Sequence, residues 1–155
     1  MLADPVALTR ALVDIESVSR NEKEIADCIE LVLADAPHLT VHRQQNTIMA
    51  RTELGRAQRV VLAGHVDTVP LNDNFPSRMV DDLIYGCGTS DMKSGTALAL
   101  HIAMTVPDPR YDVTYFFYEA EEIESEFNGL HLVSRAHPQW LAADLAILLE
   151  PTYGV

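Results

Sequence analysis

Cysteine is nearly absent. Cys28 and Cys87 are the only two, and neither sits in a C-x-x-C or zinc-knuckle spacing. A disulfide framework or thiolate metal site has nothing to build on, and isolated thiols fit a reducing compartment, most simply the cytoplasm. Positive charge is scarce too: 11 Lys and Arg stand against 23 Asp and Glu, a net charge of −12. Such a chain has no electrostatic grip on nucleic acid or on an anionic membrane. An anionic substrate would need local positive charge, which bound divalent cations can supply. No apolar run approaches the roughly 18 residues of a membrane span. The opening Met1-Leu2-Ala3-Asp4-Pro5 lacks the basic flank and apolar core of a secretion signal. There is no G-x-S-x-G elbow for a serine hydrolase. Gly86-Cys87-Gly88 lacks the third glycine of a dinucleotide fingerprint, and Met92-Lys93-Ser94 lacks the glycine that a P-loop places before its lysine.

What is present is a globular composition, 48% hydrophobic over 155 residues, enough for one domain that buries about two thirds of its unfolded surface. Asp4-Pro5 reads as a helix cap followed by proline in the first turn, with Leu8, Leu12 and Ile15 at helical spacing. A second helix is predicted to open at Ser19-Arg20-Asn21-Glu22, which has capping-box form, and to bury Ile25, Cys28, Ile29, Val32 and Leu33. Two short extended segments, 39–42 and 47–51, follow. The β-branched run 59–66 is too short for a useful helix and reads as a buried parallel strand. Residues 71–78 are rich in turn formers, 83–85 is weakly extended, and 92–105 is apolar around most of a helix. A strand over 112–118, a helix over 126–136 and a strand over 143–149 complete the pattern. Strands alternating with helices predict an α/β fold, three layers with a largely parallel sheet and a mixed edge.

In such a sheet, ligands sit beyond the carboxyl ends of the strands. There the first core strand delivers His65 and, two residues on, Asp67 on the same side. Asp91 lies in a glycine-rich loop before a helix, Glu119, Glu121 and Glu122 follow the second core strand, and Glu150 follows the third. Any one of these alone reads as an ordinary surface charge. Four segments aimed at one edge would repel one another unless cations lay between them. Imidazole and carboxylates without thiolate suit zinc, cobalt or manganese, and more than four candidate ligands suggests two ions.

Gly64-His65-Val66-Asp67-Thr68-Val69-Pro70, the run from Tyr85 to Gly95, Glu119-Ala120-Glu121-Glu122 and Leu149-Glu150-Pro151-Thr152 resemble, in order and spacing, the M20 metallopeptidase family of co-catalytic zinc amidohydrolases. The wording is most similar to the desuccinylase branch; acetylornithine deacetylases, aminoacylases and carboxypeptidases share the motifs. The resemblance implies a zinc-exopeptidase-like catalytic domain and removal of an acyl group from a small N-acyl amino acid. It implies two divalent ions, with His65 and Glu150 holding one, Glu122 the other and Asp91 bridging both. Asp67 would support the imidazole and Glu121 would be the general base.

Family members run further, with more catalytic domain, an inserted smaller domain that dimerises and helps close the site, and a late histidine for the second metal. The resemblance therefore implies that residues 1–155 are the N-terminal part of a metallohydrolase catalytic domain, without the lid or dimerisation domain. His131 and His137 follow no strand end and are not expected to replace the late histidine. The isolated chain is expected to hold the His65 metal better than the Glu122 metal, to turn over little, and to expose an unpaired strand edge. A non-catalytic metal-binding fragment is the alternative of a different class.

Overall fold

A computed structural model describes residues 4–152, so the targeting-signal reading of Met1 to Pro5 lies partly outside the described residues. The elements in order are α1 (Pro5–Val13), α2 (Lys23–Ala34), β1 (Thr40–Gln44), β2 (Thr47–Arg51), β3 (Arg59–His65), β4 (Arg78–Val80), β5 (Leu83–Tyr85), α3 (Ser94–Thr105), β6 (Asp112–Tyr118), α4 (Gly129–Ala136) and β7 (Leu145–Leu148). An irregular turn over Thr89–Lys93 precedes α3, and a short 3-10 turn over Pro138–Trp140 follows α4.

Five strands form one sheet in the order β1-β2-β6-β3-β7, and β4 and β5 form a separate two-stranded ribbon. β3 runs parallel to both β6 and β7, while β2 pairs antiparallel with β1 and β6. This is the mixed-edge parallel sheet that the alternating pattern predicts. All seven residues of β6 are buried, as befits the central strand. Successive side chains leave a strand on opposite faces. Ile48, Ala50, Tyr115 and Phe117 pack with Leu8, Leu12, Ile25, Ile29 and Leu100 of α1 to α3. Met49, Val61, Ala63 and Phe116 pack on the other face with Val133 of α4 and Trp140. Truncating a fully buried Phe116 or Phe117 to alanine costs about 3–5 kcal/mol.

Helix starts depart from the sequence pattern where long-range contacts intervene. The Asp4 side chain caps α1 as expected, accepting the Val6 N–H. Ser19 does not cap α2: the helix begins at Lys23, Glu22 takes the cap position without a capping hydrogen bond, and Arg20 adopts a φ of 75°. Cys28, expected on the buried face, is exposed. The stripe that α2 buries is centred on Ile25, Ala26, Ile29 and Leu33, and at 100° per residue Cys28 lies beyond its edge. α4 starts at Gly129, three residues later than expected, because the Asn128 side chain accepts the Leu130 and His131 amides.

One side of β7 pairs with β3; its other side has no partner strand among the described residues, and all four of its residues are exposed. Immediately beyond it, Leu149 lies against Gly95 of α3 so closely that a Cβ there would meet the Leu149 carbonyl oxygen and approach its Cβ to 2.9 Å. Among the described residues, no helix is long and apolar enough to cross a membrane.

Candidate metal centre

The carboxyl end of β3 is fixed by a stretch that the sequence pattern gave no reason to place there. The chain between α1 and α2 runs alongside residues 66–68 through a parallel bridge between Val18 and Thr68. Thr68 N–H donates to the Ser17 carbonyl, Ser19 N–H donates to the Thr68 carbonyl, and the Ser17 hydroxyl donates to the Val66 carbonyl at 2.7 Å. His65 and Asp67 end up wholly buried beneath this contact. The His65 backbone is pinned from the other side by the Thr96 hydroxyl, which donates to its carbonyl at 2.8 Å, and by Met92 Sδ, which lies 3.3 Å from its N–H.

His65 is the hub. Its Nδ1 lies 3.0 Å from the Asp67 carbonyl oxygen and 3.3 Å from Asp67 Oδ1. Its Nε2 lies 2.9 Å from Asp91 Oδ1 and 3.6 Å from Glu150 Oε2. Burial works against an imidazolium here, but the hydrogen bonds and charges of Asp67 and Asp91 outweigh it and raise the His65 pKa to about 9. For Asp67 burial pushes upward, and the His65 hydrogen bond, the Glu121 and Glu122 amides and the Ser19 hydroxyl pull its carboxyl below the usual range. Burial, then the hydrogen bond and charge of Asp91, push Glu150 up to about 7. Burial and the Asp91 charge also push Glu122 upward.

The structure brings His65, Asp91, Glu121, Glu122 and Glu150 to one rim, with Asp67 buried behind them. Ligand atoms of His65, Asp91 and Glu150 lie within 4.8 Å of one another, and so do those of His65, Glu121 and Glu122. Asp91 and Glu122 do not share one such group, although the Asp91 charge reaches Glu122. An imidazole nitrogen surrounded by carboxylates that resist ionising together is a donor set that fits divalent cations. Asp67 stands behind the imidazole, where a partner fixes ring orientation. A cavity of about 520 Å³ opens beside the rim, lined by Thr68, Val69, Tyr85 and Cys87 together with Asp91 and Glu122.

Asp91 owes its position to the irregular turn. Asp91 and Met92 have non-helical backbone angles, and Gly88 at the turn's start has a φ of 75°. A Cβ at Gly88 would also meet Thr68 Cγ2 at 2.6 Å, so glycine is required twice over. The expected helix start at Met92 is displaced to Ser94 by this turn. Beneath it lies Lys93, only 1% exposed, whose Nζ donates to the Ile15 carbonyl at 2.7 Å and whose pKa burial lowers to about 8.

Ser19, Glu22 and Lys93 are the contributors that sequence reasoning missed. Glu22 was legible only as a local capping signal, and the structure buries it completely, a costly place for a carboxylate.

Comparison with known proteins places this geometry. The DapE protein of Mycobacterium tuberculosis strain H37Rv is 52% identical over 152 residues, covering 97% of this chain and 43% of its own length. The succinyl-diaminopimelate desuccinylase of Corynebacterium glutamicum is 51% identical over 159 residues, covering 99% and 43%. The chain thus spans under half the length of these relatives. Among solved structures, a tripeptidase from Staphylococcus aureus superposes with a TM-score of 0.79 at 19% identity, over 98% of this chain and 44% of that one. Human carnosine dipeptidase 1 gives 0.77 at 18% identity, over 93% and 37%. The profile of peptidase family M20/M25/M40 matches residues 61–155, the stretch in which His65, Asp91, Glu122 and Glu150 converge, and the chain belongs to that family.

Proposed function

We propose that the chain is the N-terminal part of the catalytic domain of a two-metal amide hydrolase. Its substrate in this reading is N-succinyl-L,L-diaminopimelate, split to succinate and L,L-diaminopimelate in diaminopimelate and lysine biosynthesis. The observation that carries the chemistry is the single buried imidazole, His65, shared by the Asp91–Glu150 group and the Glu121–Glu122 group. The substrate rests on the name of the C. glutamicum relative at 51% identity.

In this assignment His65 and Glu150 would hold one cation, Glu122 the other, and Asp91 would serve both. Zinc is the first choice for ligands of this type, with cobalt or manganese also suited. Bound divalent ions would polarise the scissile carbonyl and make water a nucleophile near neutral pH. Glu121 accepts the proton of the attacking water and returns it to the departing amine. Asp67 keeps the imidazole turned toward the rim and holds the Glu121 and Glu122 amides, so acid–base group and ligand move as one piece. The free thiols of Cys28 and Cys87 fit a cytoplasmic enzyme. In the longer relatives, further polypeptide would complete the second metal's ligands and form a homodimer.

The test is metal stoichiometry combined with release of succinate from N-succinyl-L,L-diaminopimelate and of acetate from acetylornithine. The relatives are more than twice as long, so turnover by the 155-residue chain is expected to be weak and is assayed at high protein concentration. Two bound ions and a preference for the succinylated substrate support the reading. A preference for acetylornithine moves the protein to the deacetylase branch. Metal uptake with no turnover by the protein carrying its full C-terminal region would favour a non-catalytic metal-binding role. Glu121→Gln should keep its metal and lose roughly 10²- to 10⁴-fold in turnover; wild-type turnover would overturn the base assignment.

A further inference from the structure

The turn over residues 119–122 carries both the base and a ligand, yet nothing in β6 dictates its shape. Ala120 sits in the left-handed region at a φ of 57°. A left-handed residue in a turn leaves successive backbone N–H groups facing a common concavity, which attracts an anion. Here the protein supplies the anions. Asp67 Oδ1 accepts the Glu121 N–H at 3.0 Å and Oδ2 accepts the Glu122 N–H at 3.1 Å. Ser19 Oγ donates to that same Oδ2 at 2.7 Å, fixing the carboxylate's second oxygen. Ala120 lines the same small cavity as Glu22 and Glu119, and its amide lowers the Glu22 pKa against the rise that burial causes.

Glu22 has no purely local explanation. It occupies the cap position of α2 but makes no side-chain capping bond to that helix. Its Oε1 accepts the Arg20 N–H at 2.9 Å, a contact a surface glutamate could make equally well. Instead the residue is 0% exposed, and its Oε2 has no hydrogen-bond partner. Glu119, the first residue of the turn, is buried beside it, with Oε1 accepting the Asn46 N–H at 3.0 Å. Two carboxylates are thus kept out of solvent against the back of the turn whose front carries Glu121 and Glu122.

We propose that Glu22, acting with Ser19, is a positioning residue: with Asp67 it sets the backbone of the 119–122 turn and so the bearing of Glu121 and Glu122. The geometry stands by itself; the turn's purpose rests on the two-metal reading above. Ser19 and Glu22 come from the α1–α2 connection, which supplies no candidate ligand. Its part is to hold the element that does.

The test separates the two layers. Amide hydrogen exchange is followed in the chelator-treated 155-residue chain, wild type against Ser19→Ala, Glu22→Gln and Glu22→Ala. Exchange at residues 120–122 should quicken about tenfold or more in Glu22→Ala while β3 and β6 keep their protection. Glu22→Gln, whose carbonyl can still accept, should stay within a few-fold of wild type. Ser19→Ala should quicken Glu122 most. Cobalt titration of the same proteins should weaken the equivalent that depends on Glu122 by about tenfold and spare the one held by His65 and Glu150. Unchanged exchange at 121 and 122 in Glu22→Ala overturns the proposal, as does quickening spread evenly over the sheet. If Glu22→Ala does not fold, Ser19→Ala decides the matter on the same criterion. Local quickening in a set of proteins whose wild type binds no cobalt at all would leave the positioning role standing and bring down the metal-site reading.

Discussion

Asp67 Oδ1 accepts the backbone N–H of Glu121 at 3.0 Å, and the same oxygen lies 3.3 Å from His65 Nδ1. One buried carboxylate therefore fixes the orientation of the imidazole and the placement of the proposed base, which are 56 residues apart by their numbers. The coupling makes Asp67 the residue whose loss should be felt by both candidate metal groups together.

Asp67→Asn retains the side chain's size, but its amide would set an NH₂ against one of the two backbone N–H groups. Metal affinity should fall by roughly 10- to 100-fold for both ions, the usual scale when a ligand's supporting partner is lost. Isothermal titration with zinc or cobalt measures this; a loss confined to one equivalent would show that Asp67 serves only one of its two neighbours.

The chelator-treated chain should show a stability minimum near pH 8–9. His65, flanked by Asp67, Asp91 and Glu150, has its folded pKa raised from 6.5 to about 9. Its contribution is therefore complete below pH 6.5 and lost as pH rises through 9. Lys93 has its folded pKa lowered from 10.5 to about 8 by burial. The cost of its charge is complete below 8 and relieved as pH climbs toward 10.5. Each arm amounts to at most about 3 kcal/mol. Urea melts from pH 6 to 10.5 test the shape, and Lys93→Met should remove the recovering arm alone.

Metal uptake at pH 7 should release protons. His65 carries its extra proton there, and Glu150, pushed up to about 7, is close to half protonated. Both must ionise to act as ligands. Calorimetry in two buffers of different ionisation enthalpy should give roughly one to two protons for the first equivalent; no buffer dependence would contradict the protonation of His65.

Gly95→Ala should damage the site from behind. The new Cβ would collide with the Leu149 carbonyl oxygen and lie 2.9 Å from its Cβ, forcing the segment before Glu150 away from α3. A loss of about 1–3 kcal/mol is expected from such overpacking. It should be accompanied by weaker binding of the ion assigned to His65 and Glu150, with the Glu121–Glu122 group spared. Thermal melts and metal titration together distinguish this from a general loss of fold.

The unpaired side of β7 should make the isolated chain associate as its concentration rises. Replacing the 43%-exposed Ile147 by lysine should suppress that association, since a charged edge resists strand addition. Sizing with light scattering reads the result; a monodisperse wild-type monomer at high concentration would remove the edge as a liability.

The parts of this architecture written in local pattern were legible beforehand. β2, β5 and β6 match their expected bounds, and β3 ends one residue short of the expected 59–66; in β2, β3 and β6 the apolar, β-branched and aromatic runs suit a pleated, largely buried surface. The convergence of His65, Asp91, Glu121, Glu122 and Glu150 could be anticipated from the rule that polar groups collect beyond strand ends. What stayed hidden depends on contacts between distant segments. Ser19 carries a helix-capping signature but spends its hydroxyl on Asp67, 48 positions away. The start of α3 follows from how the chain must turn to present Asp91, which no propensity scale encodes. Asn128 was a readable cap that the expected start at Glu126 passed over.

The bridge between Val18 and Thr68 gives the first two dozen residues a hold over chemistry in which they take no direct part. A lesion in that segment, whether a point change or a proteolytic nick, would leave every proposed ligand spelled out intact and still loosen their arrangement. Inventories that count candidate ligands would score such a chain as sound.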